Sequence, residues 1–454
     1  MKIHHAKRTL AATVLAAAAG LTAGAAASGS NPLLAAPLAG AAGQSVPTAC
    51  AAEPNEVLEW NRIFVEMLAT TNTPNSSSQR LGAIVQTAVF DAFNGVERRY
   101  QPVRVAEDAP AGTSRRAAVI AAAYTVLTNL FTTPASITTL EARYAAALDA
   151  LSDDGDGGQS RERGIAWGTE VAQRVLSWRS TDGFSLTYPA FRGGTAVGQW
   201  RPTPPAFNAM SAQGLAFTDP FVLSSRELFR PVAPRTLSSD TYVEDFNTVK
   251  ALGRSTGSTR TADQTALAPF WEGNASVHWN QAANQMARAN CLSISESSRL
   301  LAVLNIAMAD TAITTWSAKR FYGENPGEVT WRPVTAIPLA DLDSRLETTA
   351  DPDWVPLITT PSHPEYAAGH PSLNGTAATV LLQHFSDDQV FKLTTPSQPD
   401  RIYSSIAQAR SDGNNARVWG GMHYPSTVRI SDETGALIAE YINQHAMQRR
   451  HPGE

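Results

Sequence analysis

The sequence predicts an all-α fold, a large helical bundle that also carries a long ordered loop. Apolar residues recur at helical spacing along most of the chain, and the first such stripe is Val57, Trp60, Ile63, Phe64 and Leu68. No segment alternates apolar and polar residues convincingly over more than about five positions, so any strands are minor. With 454 residues, 43% of them hydrophobic, the chain can bury a large core.

The helical period returns in segments spread over the whole chain. They are 57–71, 79–100, 114–131, 137–151, 163–180, 297–321, 374–385 and 432–448. Between them, residues 181–262 show little periodicity but are rich in Pro, Gly, Trp and Phe. Because that composition does not suit simple disorder, we expect an ordered loop lying over the helices.

The N-terminal 28 residues are typical of a cleaved secretory signal peptide. A basic start precedes an apolar run from Leu10 to about Thr22, and an Ala-rich end offers a cleavage site. Residues 29–49, rich in Ala, Gly, Pro and Ser, are expected to form a disordered leader. We expect a single helical domain over 50–454, no membrane span after cleavage, and secretion of the mature protein.

Charge and cysteine content exclude several classes of protein. The formal net charge of -5 offers no basic surface for nucleic acid. Cys50 and Cys291 are the only cysteines, which excludes a disulfide scaffold and a Cys-based zinc cluster. Whether these two cysteines pair with each other stays open, because their separation in sequence says nothing about their separation in space.

Three short stretches in the C-terminal third combine cations with histidines. They contain Lys319 and Arg332, then Gly369 and His370, then Arg417 and His423. Arginine forks and a lysine suit a tetrahedral oxyanion, and a glycine before a helix start can bring a backbone N–H close to an anion. Histidines can act as acid, base or nucleophile. The stretches together predict a phosphate-shaped pocket with two histidines.

The order of these residues resembles the signature of the vanadium-dependent haloperoxidases and of the type 2 phosphatidic acid phosphatases, which share their fold. That signature is Lys, Arg-Pro, Pro-Ser-Gly-His, and Ser-Arg with a His six residues after the Arg. Here the positions are taken by Lys319, Arg332 and Pro333, Ala367 to His370, Ala416 and Arg417, and His423. Further stretches, such as "VLEWNRIFVE" and "RTADQTALAPFWEG", look like secreted bacterial members.

The resemblance implies a role for each matched residue. The oxygens of vanadate or phosphate would be held by Lys319, Arg332, Arg417 and the Gly369 amide, and Lys319 would also polarise bound peroxide. His423 would bind vanadium axially, or become phosphohistidine in a phosphatase, and His370 would be the general acid/base. Trp316 and His363 fall where the family lines the halide pocket. In the family, a histidine at the position of His363 favours bromide.

The implied function is a vanadate-dependent haloperoxidase that oxidises halide with hydrogen peroxide. One alternative is a secreted acid phosphatase, which acts on phosphate esters through phosphohistidine and needs no cofactor. A second alternative is a catalytically impaired helical protein that binds an anion. The sequence leaves the oligomeric state open.

Four departures from the family pattern bear on activity. Twelve residues separate Lys319 from Arg332 where the family usually has six, and the extra residues are expected to bulge as a loop. Ala367 and Ala368 replace Pro-Ser, and Ala416 replaces the serine before the arginine. Thr427 replaces the acidic residue four after the second histidine, which predicts a less basic and less well oriented His423.

Overall fold

The computed structural model describes residues 54–151, 158–325 and 327–450. All of them fall within one compact unit, Gly40–Glu454. The predicted signal peptide, 1–28, and leader, 29–49, lie outside the described residues and stay predictions, as does the single domain over 50–454. Cys50 also lies outside them, so its pairing with Cys291 stays open, although Cys291 is not a free thiol.

Helices form nearly all of the regular structure in the described residues. They are α1 (Glu56–Thr70), α2 (Asn75–Glu97), α3 (Arg115–Leu130), α4 (Pro134–Asp149), α5 (Gln159–Arg179), α6 (Asp240–Leu252), α7 (Ala262–Phe270), α8 (Ala275–Ala289), α9 (Ile294–Glu324), α10 (Pro333–Ala336), α11 (Gly369–Leu382), α12 (Ile406–Trp419) and α13 (Pro425–His445). Strands β1 (Phe391–Thr395) and β2 (Gln398–Tyr403) form one antiparallel hairpin. The predicted all-α class, with minor strands, is confirmed.

Local capping explains where the longest helix begins. The Ser293 side chain accepts a hydrogen bond from the Glu296 backbone N–H, and the Glu296 carboxylate accepts one from the Ser293 N–H. This capping box satisfies backbone donors that a helix start otherwise leaves unpaired. It fixes the start of α9, the helix that carries Trp316 and Lys319.

Helix α9 lies inside the bundle, where it packs against α2, α11 and α13. It is the one helix of the described residues that is long and apolar enough to cross a membrane, but the apolar stretch is entirely buried within the protein. A helix in the core of a bundle can have the same length and apolar composition. Its position brings Lys319 to the C-terminal helices.

Two glycines let α11 and α13 pack with their backbones almost in contact. A Cβ on Gly435 of α13 would lie 1.9 Å from the carbonyl oxygen of Ser372, and one on Gly375 of α11 would lie 2.2 Å from that of Asp432. Only glycine allows so close an approach. Since α11 begins just before His370 and α13 begins just after His423, this contact sets the distance between the two histidine segments.

The predicted ordered loop over 181–262 is confirmed for its first part. A 3-10 turn at Gln213–Phe217 interrupts an otherwise irregular segment, and Trp200, Met210 and Leu215 pack against Trp316 in one buried apolar cluster. The loop therefore covers α9 near Lys319 and supplies one apolar wall beside the candidate site.

The second part of that prediction is wrong, because residues 240–252 form α6. Ser239 accepts a hydrogen bond from the Tyr242 backbone N–H and caps the helix. Tyr242, Phe246 and Val249 are fully buried along one face. The helical stripe is short and broken by polar residues, which explains why periodicity alone did not indicate it.

Candidate oxyanion site

The predicted site residues lie at five places along the chain. Lys319 lies on α9, Arg332 just before α10, and Arg417 in the last turn of α12. The segment 363–370 runs into α11, and His423 lies in the turn before α13. In the structure, the side chains of these residues lie close together around segment 363–370.

Arg332 is buried at the centre of the site, and the chain already holds its guanidinium in place. Nη1 lies 3.0 Å from Nε2 of His423 and donates to the carbonyl oxygen of Met422 at 2.7 Å. Nη2 donates to Nδ1 of His363 at 2.8 Å, and Nε donates to the His363 carbonyl oxygen at 3.0 Å. Burial lowers the pKa of Arg332 to about 9, so the group is a cation at neutral pH.

Lys319 faces the same segment from α9. Its Nζ donates to the carbonyl oxygens of Pro364 at 2.6 Å and Glu365 at 3.3 Å, and no part of the residue is exposed. Burial, together with the charge of Arg332, lowers the pKa of Lys319 well below its ordinary value. A bound anion would favour the charged form of this amine and would in turn be held by it.

Arg417 is the cation whose hydrogen-bonding capacity is least used. Its Nη2 contacts Sδ of Met422 at 3.4 Å. Nε and Nη1 are buried and have no hydrogen-bond partner among the described residues. Burial lowers the pKa of Arg417 to about 10, which keeps it charged at neutral pH. Two buried donors of a cation without an acceptor indicate a place for an anion.

His423 is held by a different partner on each side of its ring. Nδ1 lies 2.9 Å from Oε1 of Glu365, and Nε2 faces Nη1 of Arg332. Burial, with the charges of Arg332 and Lys319, lowers the pKa of His423 well below its ordinary value, so the ring is neutral. Since Arg332 can only donate, Nε2 carries the lone pair and Nδ1 carries the proton.

Glu365 is a further buried residue of the candidate site, and the sequence motifs did not indicate it. Its Oε1 accepts hydrogen bonds from the His423 ring and from the Tyr424 backbone N–H at 3.2 Å. Its Oε2 accepts one from Thr427 Oγ1 at 3.0 Å, and an Arg235 guanidinium nitrogen lies 3.8 Å away. Burial raises the pKa of Glu365, and the charges of Arg235 and Arg332 oppose that rise.

The prediction that His423 is poorly oriented is therefore wrong. It assumed that the acid had to come from the position of Thr427, whereas Glu365 supplies a carboxylate from another segment. Thr427 instead donates its hydroxyl hydrogen to that carboxylate. The signal was available in "HPEYAAGH", where the glutamate lies between the two histidines already singled out.

His370 lies at the start of α11, directly after Gly369, and is only partly buried. Its Nε2 lies 3.1 Å from the carbonyl oxygen of Gly273 and 3.4 Å from Nδ2 of Asn75. The carbonyl oxygen is the closer partner and can only accept, which favours the neutral tautomer with the proton on Nε2 and the lone pair on Nδ1. Burial, with the charge of Arg417, lowers the pKa of His370 to about 3. The ring is therefore an unprotonated base at neutral pH.

Gly369 is the first residue of α11, where a helix leaves backbone N–H groups unpaired. A Cβ at this position would lie 3.3 Å from the Trp316 ring, which is tighter than ordinary contact. The helix start and the aromatic ring thus close one side of the site.

Trp316 and His363, the predicted halide pocket, are in contact with each other. Their ring centroids lie 5.3 Å apart, and Trp316 Nε1 donates to the Ser211 carbonyl oxygen at 3.3 Å. Burial, with the charges of Lys319 and Arg332, lowers the pKa of His363 well below its ordinary value. A neutral imidazole against an indole gives this wall an apolar character with one polar edge.

The remaining departures leave the site assembled. Despite the longer connection, Lys319 and Arg332 both bond to segment 363–365. Ala368 is buried, and its backbone N–H donates to Oγ of Ser431 on α13 at 2.8 Å. Ala416 is fully buried. The alanines thus remove hydroxyl groups without exposing the site.

Comparison with known proteins agrees with this architecture. Residues 299–452 match a family model described as the VCPO second helical-bundle domain. A bacterial vanadium-dependent iodoperoxidase structure matches with a TM-score of 0.74 and 21% identity, over 89% of this chain and 100% of that one. The chain has the fold of the vanadium-dependent haloperoxidases. The resemblance predicted from the motifs is confirmed by the family model over residues 299–452 and by the shared fold over most of the chain.

Two further vanadium haloperoxidase-fold structures show the same similarity. They are apo and holo bacterial vanadium-dependent chloroperoxidases, each with a TM-score of 0.62, at 17% and 16% identity. Each alignment covers 82% of this chain, with 95% and 92% of the respective relatives. Comparison with curated protein sequences returns no significant match.

The donor set of the site fits vanadate. A tetrahedral or trigonal-bipyramidal oxyanion needs several cationic donors around its oxygens and one nitrogen lone pair for a direct bond. Arg417 offers two buried donors without an acceptor, and His423 offers Nε2. Lys319 and Arg332 are two further buried basic groups of the site, so a bound anion would offset their positive charge and that of Arg417.

Proposed function

We propose that this protein is a vanadate-dependent haloperoxidase, an enzyme that oxidises halide with hydrogen peroxide. The observation that carries the proposal is the arrangement of His423, whose Nδ1–H is bonded to Glu365 while the Nε2 lone pair faces the cations. A lone pair directed into a cluster of buried cations suits a ligand that is an anion and an electrophile at once.

The cations would bind and orient the oxygens of the cofactor. Arg417 would donate from Nε and Nη1, which have no acceptor among the described residues, and Arg332 would donate from Nη1. Lys319 Nζ would add a third positive charge from α9. Bound vanadate would supply Lewis-acid activation of hydrogen peroxide without a change of oxidation state at the metal.

His370 would move the proton that peroxide must lose on binding. With its pKa lowered to about 3 by burial and by the charge of Arg417, the ring is unprotonated at neutral pH before an anion binds. The negative charge of a bound oxyanion would raise that pKa towards the range in which Nδ1 can accept a proton. Its Nε2 contact with the Gly273 carbonyl oxygen holds the ring in that tautomer. The same nitrogen would return the proton when the oxidised halide leaves as hypohalous acid.

We propose bromide as the preferred halide. His363 lies against Trp316, and the resemblance associates a histidine at this place with bromide rather than chloride. A polar edge in an otherwise apolar wall suits a large, weakly hydrated anion. We also propose secretion of the mature protein, in keeping with the N-terminal sequence.

A pair of assays on the purified protein tests the proposed function. Bromination of monochlorodimedone with hydrogen peroxide is measured with and without orthovanadate, beside hydrolysis of p-nitrophenyl phosphate. We expect bromination that requires vanadate and disappears in His423→Ala. Hydrolysis that vanadate inhibits, without bromination, would instead indicate the phosphatase, and the absence of both activities would indicate an impaired anion-binding protein.

A further inference from the structure

We propose that Glu365 is the positioning residue for His423 and that its carboxylate replaces, from a different segment, the acid that the family carries four residues after this histidine. The inference rests on the proposed function for its vanadate readout. It concerns a residue 58 positions before His423 in the chain. The acid would hold Nε2 ready to bind the cofactor without touching the cofactor itself.

The contacts of Glu365 suit an ionised carboxylate. Oε1 faces two N–H donors, from the His423 ring at 2.9 Å and from the Tyr424 backbone at 3.2 Å. Oε2 faces the Thr427 hydroxyl at 3.0 Å and the Arg235 guanidinium at 3.8 Å. Because donors surround both oxygens, the ionised form makes every one of these interactions at once.

A second layer of residues holds the glutamate in place. Arg235 is buried, its Nε lies 2.9 Å from Oδ2 of Asp245, and its guanidinium lies 4.0 Å above the Tyr424 ring. Its Nη1 also donates to Thr427 Oγ1 at 2.9 Å. Arg235 therefore holds Glu365 in place by its charge and by the hydrogen bonds that run through Thr427. Outer partners of a metal-binding histidine commonly act in this way.

The charge of Glu365 has opposite effects on two kinds of anion. It raises the basicity of His423 and so strengthens a ligand bonded through Nε2. It also repels any anion that Lys319, Arg332 and Arg417 attract. Removing the charge should weaken vanadate, which needs the nitrogen bond, but should leave phosphate, which needs only the cations, bound at least as tightly.

Thr427 offers a way to return the acid to the place where the family has it. Its hydroxyl already contacts Oε2 of Glu365, so an aspartate at 427 would lie beside the space that a shortened residue 365 leaves. A carboxylate reaching His423 from there would restore the hydrogen bond to Nδ1. If an aspartate at 427 restores vanadate binding to a variant without Glu365, the loss in that variant came from the orientation of His423 and not from a general effect on folding.

The experiment compares wild type with Glu365→Gln, Glu365→Ala and Glu365→Ala/Thr427→Asp. Dissociation constants for orthovanadate and inorganic phosphate are measured by calorimetry on the full protein. We expect Glu365→Gln to bind vanadate at least about tenfold more weakly and to keep phosphate affinity. We expect the double variant to recover at least about tenfold of the vanadate affinity that Glu365→Ala loses. Equal weakening of both anions, or no effect on either, overturns the proposal.

A measurement without vanadate keeps this inference separate from the proposed function. Proton NMR of the anion-free wild type should show a far-downfield Nδ1–H resonance that His423→Ala removes and that moves upfield in Glu365→Gln. If wild type fails to prefer vanadate over phosphate, the proposed function fails, while this resonance still supports the role of Glu365. A His423 ring that carries its proton on Nε2 and none on Nδ1 would overturn the proposed role of Glu365, whichever anion the protein binds.

Discussion

Nη1 of Arg332 lies 3.0 Å from Nε2 of His423, so the cation donates to the lone pair that a bound oxyanion would engage. The same guanidinium is held by the His363 ring and carbonyl group and by the Met422 carbonyl oxygen. The chain therefore fixes the position of this cation before any ligand arrives. Preorganised donors of this kind lose little conformational freedom on binding.

Arg332→Lys should separate charge from geometry at this position. A lysine keeps the positive charge but cannot bond to His423, His363 and the Met422 carbonyl oxygen together. We expect phosphate and vanadate affinity to fall by about 100-fold. Calorimetric titration of the folded variant measures the loss, with Arg429→Lys, an exposed arginine on α13, as the control. Unchanged affinity in Arg332→Lys would show that the fork geometry is unimportant.

Arg417→Met should abolish anion binding and should not lower the stability of the anion-free protein. Arg417 buries a charge with two donors that lack acceptors among the described residues, and such groups cost about 1–3 kcal/mol each. We expect the melting temperature of the anion-free variant to equal or exceed that of wild type. The rise that phosphate causes in wild type should disappear.

Differential scanning calorimetry with and without phosphate checks both parts of the Arg417 prediction. Arg429→Met serves as the control for removing an arginine that is exposed. A variant that melts well below wild type and still responds to phosphate would show that Arg417 is a structural cation rather than an anion ligand.

His363→Phe should shift halide preference towards chloride. The phenyl ring keeps the contact with Trp316 but removes the polar edge, which the resemblance associates with bromide. We expect the ratio of kcat/KM for chloride to that for bromide to rise by roughly tenfold. Because Arg332 also loses an acceptor at His363 Nδ1, vanadate affinity is measured in parallel. A ratio that stays constant at saturating vanadate contradicts the assignment of His363 to the halide wall.

His278→Phe should make the protein more resistant to mild acid. His278 is buried on α8, its ring stacks on Phe270 at 5.2 Å, and burial lowers its pKa to about 4. Since an unfolded histidine titrates near 6.5, the folded state binds fewer protons, and stability falls as pH drops from about 6.5 towards 4. The linkage amounts to about 2 kcal/mol at pH 5.

Urea unfolding at pH 7 and pH 5 measures this linkage. The free energy of unfolding of His278→Phe, relative to wild type, should increase by about 2 kcal/mol between the two conditions. His445→Phe, at an exposed position on α13, controls for the loss of one histidine. Equal pH dependence in wild type and His278→Phe would show that His278 is protonated in the folded state.

The candidate anion site was predicted from the order of cations and histidines along the chain, and its function as an anion site stays a prediction. Lys319, Arg332, Arg417 and His423 were each identified in this way, and the structure brings them together. Glu365 was not identified, since an orienting carboxylate can reach a histidine from any segment that folds beside it. The resemblance indicates that Thr427 occupies the usual place of the acid, and the one hint of a replacement is the position of Glu365 between His363 and His370.

Helix α8 shows why some helices were not predicted from the periodicity of apolar residues. Its buried face includes His278, Asn280 and Asn284, which look like surface residues in a sequence. Asn280 exchanges two hydrogen bonds with Asn305 of α9, at 3.0 and 2.9 Å, so these two amides pair with each other inside the core. The helix also buries apolar residues, among them Val277, Trp279, Ala283 and Met286, so the buried polar residues obscured a helical pattern that was present in the sequence.

The most direct test of the account is a crystal structure of the protein grown with orthovanadate. We predict vanadium bonded to Nε2 of His423, with vanadate oxygens accepting hydrogen bonds from Nε and Nη1 of Arg417 and with Glu365 still bonded to Nδ1. Vanadate bound elsewhere, or an Arg417 guanidinium fully paired with protein acceptors beside an empty His423, would contradict the central claim that these residues form an oxyanion site.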